Sequence, residues 1–228
     1  GKVNNNIGVA NWRLGNRNEA LEYYQVALHI REAINDLRGL CIIQNNMGLI
    51  YQDWGLYDEA LLWHEKALEI SLALENRIAI SYTYSNLGRC FDNKKEFDKA
   101  LYYHILGYET QRKGAEKGNS YSYYFANIGD VYNSMGQTDS AMVYYEKSLL
   151  DAEKFKNKHR IAIAQHNLGS LYLKADKVDG ARQLINSSYL KSLENDYSEL
   201  IIANRYILAE IEEKTGHIPE AYKHYKSA

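Results

Sequence analysis

Apolar residues recur along the chain at helical spacing. Ile43, Met47, Ile50 and Trp54 fall at i, i+4, i+7 and i+11, which places them on one face of an α-helix. The surrounding pattern then returns at a fixed step. Asn6-Ile7-Gly8 reappears as Asn46-Met47-Gly48, Asn86-Leu87-Gly88, Asn127-Ile128-Gly129 and Asn167-Leu168-Gly169, at steps of 40, 40, 41 and 40 residues. A sixth, divergent copy has Ala209 in place of the glycine. Twelve residues after each small residue stands an alanine, at Ala20, Ala60, Ala100, Ala141, Ala181 and Ala221. Seven further on another small residue recurs, at Ala27, Ala67, Gly107, Ser148, Ser188 and Ala228. A period of this length is the mark of stacked structural repeats.

Each unit reads as two helices joined by a turn. Gly15, Gly55, Gly136 and Gly216 follow seven residues after the small position, where a left-handed glycine ends a helix. Asn18, Asp58, Asp98, Asp139 and Asp179 come next and suit a helix start, as acceptors for unpaired N–H groups and as anions at the positive dipole end. The recurrent Gly and Ala positions mark close approaches of helix axes. Units are expected near 1–34, 41–74, 81–114, 122–155, 162–195 and, in part, 202–228. The second helices are expected to end at polar turns such as Asn35-Asp36, Glu75-Asn76 and Asn157-Lys158.

Gly8, Gly15, Ala20, Tyr24 and Ala27 in one copy, with comparable sets over almost the whole chain, resemble the tetratricopeptide repeat. The 40-residue step is similar to the longer repeats of kinesin light chains, Pins-type polarity scaffolds, bacterial Rap-type regulators and the sensor arms of some bacterial kinases and transcription regulators. The resemblance implies an all-α, right-handed solenoid of about six helix-turn-helix repeats, one domain over 1–228, with first helices lining a concave face. It also implies a scaffold that binds a protein or peptide segment there. Two settings remain open: the ligand-sensing arm of a larger bacterial signalling protein, or a free-standing assembly adaptor.

Composition removes several alternatives. The net charge is -2, from 27 basic and 29 acidic residues spread along the chain, so no basic stripe invites nucleic acid. No apolar run reaches the ~18 to 20 residues that cross a bilayer, so membrane insertion by this segment is not expected. No signal-peptide pattern stands at the start, which favours the cytoplasm; the periplasm stays open, because a chain that begins at Gly1 inside a helical pattern and stops within a sixth copy reads as part of a longer one. Cys41 and Cys90 read as buried small hydrophobes. His64 and His104 occupy equivalent places in consecutive copies, ~10 Å apart by helix packing, which suits packing better than a shared metal. No Gly-rich phosphate loop, HExxH, CxxC or nucleophile-elbow motif occurs, so neither catalysis nor a cofactor is expected.

Candidate binding chemistry lies on the first helices. Counted from the small residue, positions two, three and six before it, and one, four and five after it, are expected to face outward. Asn6, Asn46, Asn86, Asn127 and Asn167 recur two before it, and Asn5 and Asn45 add amides one residue earlier. An amide donates and accepts at once, so these side chains could hold a peptide backbone; equally, they could tie neighbouring repeats together through backbone carbonyls. The likeness to kinesin light chains favours the first use. Trp12, Tyr82 and Tyr123 would be apolar anchors, with Arg13, Asp53, Arg89, Asp92 and Asp130 as mixed charges. Chaperone tails are not expected: of Asn5, Val9, Asn46, Tyr82 and Asn86, which stand at the places of that family's carboxylate clamp, only Asn46 matches it, and the clamp's lysines and arginine are missing. Homodimerisation is left open.

Overall fold

The computed structural model describes residues 1–113 and 120–227, and among them twelve helices and no strand occur. Ala228, expected as the small residue of the sixth copy, and residue 114, at the end of the third, lie outside the described residues. The helices form two compact units, Gly1–Glu116 and Lys117–Ala228. The first holds α1 (Lys2–Arg13), α2 (Arg17–Ala33), α3 (Leu37–Asp53), α4 (Tyr57–Ala73), α5 (Arg77–Asn93) and α6 (Phe97–Lys113). The second holds α7 (Ser122–Ser134), α8 (Thr138–Lys154), α9 (Lys158–Lys174), α10 (Val178–Glu194), α11 (Ser198–Lys214) and α12 (Ile218–Ser227). No helix among the described residues is long and apolar enough to cross a membrane.

Within each unit every helix packs on the next, and first helices also touch the first helix of the adjoining pair: α1 on α3 and α3 on α5, α7 on α9 and α9 on α11. No such contact joins successive second helices among the described residues. The first helices are therefore the more closely spaced row in each unit.

The small positions are required by volume. A Cβ on Gly8 would stand 2.5 Å from the Tyr24 ring, and one on Gly129 2.6 Å from that of Tyr145. The same place is filled by His64 over Gly48, His104 over Gly88 and Ile185 over Gly169. The two histidines thus do the packing work of a tyrosine or isoleucine. At the far small position, Ser148 Oγ donates to the Ser122 carbonyl and Ser188 Oγ to that of Ala162, both at 2.8 Å, so serine replaces alanine without loosening the helix pair. Ala60 and Ala100 are fully buried. Replacing Ala100 by Leu is expected to overpack the α5–α6 junction and cost ~1 to 3 kcal/mol. An unchanged urea midpoint would contradict the close approach at this position.

Gly15, Gly55, Gly136 and Gly216 have φ of 83°, 73°, 73° and 82°, the left-handed turn expected of them, and Lys95 and Asp176 take it in the third and fifth pairs. Two local expectations are corrected. The turn assigned to Asn157-Lys158 centres on Lys156 (φ 53°), and Asn157 instead caps α9, accepting from Arg160 N–H at 3.1 Å. Asn18, Asp58, Asp98, Asp139 and Asp179 lie one residue inside their helices. They meet the helix dipole there but are not caps. Side-chain caps occur on first helices instead, at Asp36, Asn76 and Asn157.

Candidate functional site

Positions six and two before the small residue and one and five after it form one stripe on each first helix, open to solvent except at the position two before in α5 and α7. On α3 these are Ile42, Asn46, Leu49 and Asp53, and on α5 Tyr82, Asn86, Arg89 and Asn93. Position three before the small residue turns into the seam between repeats. The asparagines consequently divide. Asn45 is buried, Asn86 is fully buried and Asn127 is 8% exposed, whereas Asn5, Asn46 and Asn167 are half-buried and Asn6 is exposed. The accessibility expected of Asn45, Asn86 and Asn127 is therefore not met; Asn45 and Asn86 are covered where α3 and α5 meet.

What they do instead is visible in their bonds. Asn46 Nδ2 donates to Asn5 Oδ1 at 3.0 Å, and Asn86 Nδ2 to Asn45 Oδ1 at 3.3 Å, the same link made twice along the first unit. Asn45 Nδ2 reaches forward to Thr83 Oγ1 at 2.9 Å, and Asn45 Oδ1 accepts from His64 Nδ1 at 2.9 Å. Gln52 Nε2 adds bonds to the Asn86 carbonyl at 2.9 Å and to Cys90 Sγ at 2.8 Å. In the second unit His166 Nδ1 and Asn204 Oδ1, 2.8 Å apart, stand at the places of Asn45 and Thr83, and Asn167 Nδ2 donates to Asp130 Oδ1 at 3.4 Å. Side-chain amides thus stitch adjoining repeats together, and what they bond is mostly another side chain, not the backbone carbonyl that the sequence alone suggested.

The remaining site residues keep an outward component. Tyr82 is 43% exposed and Arg89 is exposed. Trp12 is half-buried and donates through Nε1 to Asp53 Oδ2 at 2.7 Å, where Arg17 also pairs. Arg13 is exposed and Asp92 half-buried. Tyr123 lies under the Arg160 guanidinium at 4.7 Å, and Asp130 accepts from the Tyr145 hydroxyl at 2.8 Å. Between α3 and α5 opens a recess of about 340 Å³ lined by Ile42, Asn45, Asn46, Ile78, Ala79 and Tyr82. A second, of about 420 Å³, lies between α9 and α11, with His159, Ile163, Tyr197, Glu199, Leu200 and Ala203 on its walls. Ile42 and Ile163 escaped the sequence reading, although they stand at the same position as Tyr82 and Tyr123 and were open to the same count. Ile78 precedes the counted stripe and carried no signal.

The buried titratable groups serve packing. Burial pushes the Cys90 thiol up to about 11, the bond from Gln52 opposing, and raises Cys41 likewise. Burial, with the nearby Arg89 charge, holds His64 and His104 down to about 3. Among the described residues no three His, Cys, Asp or Glu side chains are grouped as a metal site.

Family models of the tetratricopeptide repeat match residues 1–73 and 39–113, and another matches 122–150. No curated protein sequence matches the chain. Among solved structures, apo RapI is similar over 99% of this chain and 80% of its own, with 21% identity and a TM-score of 0.75. A Rap protein complexed with competence and sporulation factor is similar over 98% and 72%, with 15% identity and a TM-score of 0.79. The repeats of a putative kinesin light chain from Podosopora anserina are similar over 86% and 97%, with 16% identity and a TM-score of 0.62. With the repeat matched over more than half of its residues and twelve helices paired as that repeat requires, the chain belongs to the tetratricopeptide repeat family.

Proposed function

We propose that this chain is a protein-binding scaffold whose first-helix faces hold an extended segment of a partner, and that it serves as the regulatory, ligand-sensing region of a bacterial signalling protein. The carrying observation is the α3–α5 recess, where exposed Ile42, Ile78 and Tyr82 surround the half-buried amide of Asn46. Apolar side chains left open around a polar group that can bond a peptide backbone are what a binding face needs. The Rap protein complexed with competence and sporulation factor supports partner binding by this fold. Catalysis has no place in this reading: the buried histidines and thiols are spent on packing.

Selection of a peptide from a displayed library, followed by titration against variants, tests it. Tyr82→Ala is expected to weaken a selected peptide by about 30-fold, the ~2 kcal/mol of an interface anchor. Because Tyr82 is 43% exposed, melting should hardly move. A peptide bound equally well by this variant and by Asn46→Ala would place binding on another surface.

A further inference from the structure

Beside the apolar recess, on the other side of Ile42, lies one walled in part by charged and amide side chains. It has a volume of about 250 Å³, between α1 and α3, and is lined by Lys2, Asn5, Asn6, Arg31, Gly39, Ile42 and Ile43. No acidic residue is among them. Arg31 comes from α2 and reaches into the seam, with only 12% of its side chain exposed. One terminal nitrogen contacts Asp36, the cap of α3, yet the buried Nε has no protein partner. Room for the guanidinium depends on Gly39: a Cβ there would stand 2.7 Å from Nε. A buried cationic donor without an acceptor is costly unless something completes it. Lys2 adds a second positive charge against the single negative one of Asp36.

We propose that this recess binds the side-chain carboxylate of an acidic residue in the partner segment, while the apolar recess across Ile42 takes a bulky aliphatic or aromatic side chain of the same segment. The Arg31 guanidinium and the Lys2 ammonium supply the charge, and the amides of Asn5 and Asn6 stand at its edge. Adjoining first helices are ~10 Å apart and an extended chain advances ~3.3 Å per residue, so the acidic and apolar residues are about three positions apart. This rests on the reading of the first-helix face as a peptide site, and adds the chemistry of the peptide.

A positional array tests both levels. Fluorescein-labelled nine-residue peptides, amidated at the C-terminus, carry a fixed central leucine, one glutamate moved through the remaining positions, and serine and glycine elsewhere; glutamine at the same positions gives the neutral set. Tightest binding is expected with glutamate about three residues from the leucine on one side, at least tenfold over glutamine, the usual difference for a charged hydrogen bond. Lys2→Gln, an exposed change that leaves the core untouched, and Arg31→Gln should each erase most of that difference while the leucine requirement stays. Equal binding of glutamate and glutamine peptides, or a preference that both variants retain, overturns the carboxylate pocket and leaves the peptide-binding reading standing. No binding by any peptide of either set overturns both.

Discussion

Acidification from pH 7 to about 4.5 is expected to remove on the order of 5 kcal/mol of folding stability, through two imidazoles that the fold keeps neutral. His64 and His104 are 0% and 1% exposed, and burial above all holds both near 3. In the unfolded chain a histidine titrates near 6.5. Above that pH both states are neutral and neither residue affects stability. Between 6.5 and about 3 only the unfolded chain binds the protons, so stability falls with falling pH by ~1.4 kcal/mol per unit for each histidine. Two residues over two units give the figure above, a large part of the ~5 to 15 kcal/mol that holds a typical domain. His166, also lowered by burial, adds in the same direction. Carboxylates such as Asp36, held down chiefly by the Gly39 N–H bond, act at lower pH. Urea unfolding of wild type and of His64→Tyr/His104→Tyr at both pH values measures the effect, tyrosine being what Tyr24 and Tyr145 place over their own glycines. The double variant should lose most of the acid sensitivity; an undiminished drop would assign it to other groups.

Neighbouring asparagines should differ sharply. Asn45→Ala is expected to cost on the order of 3 to 5 kcal/mol, because one amide serves four groups, two of them across the seam. Its oxygen accepts from His64 Nδ1 and Asn86 Nδ2, and its nitrogen donates to Thr83 Oγ1 and, at 3.3 Å, to the Cys41 carbonyl. Because Asn45 Oδ1 is an acceptor, His64 carries its proton on Nδ1. Removal leaves that N–H and the Asn86 amide buried and unpaired, at ~1 to 3 kcal/mol each. Asn46→Ala loses one half-exposed bond, to Asn5, worth ~0.5 to 1.5 kcal/mol. Denaturant unfolding and titration of a selected peptide, run on both variants, separate the roles: Asn45→Ala should act on the melt, and Asn46→Ala on affinity as well. Equal, small losses of stability would remove Asn45 from the centre of the seam.

The repeat itself was legible in the sequence, since volume and backbone geometry act on single residues at fixed places. Gly8, Gly48, Gly88, Gly129 and Gly169 must be small because a ring or branched chain sits over each, and Gly15 or Gly55 must turn left-handed; both demands survive translation by one period. Ala60 and Ala100 could be assigned to the interior for the same reason. The site was legible only in part. A helical count fixes the direction of a side chain relative to its own axis, but whether that direction ends in solvent depends on the neighbouring repeat. Asn46 and Asn86 are equivalent in sequence, yet Asn86 is covered by contacts with Asn45 and Gln52. The amides could serve a peptide or a seam, and sequence held both readings open, because a hydrogen-bonding group does not encode its partner. Only the packed structure brought Asn45 to Thr83 and His64, or Arg31 from the second helix of one pair into the recess beside Gly39 of the next. Such meetings join residues from 8 to 38 positions apart, through an interhelical approach that no local pattern records.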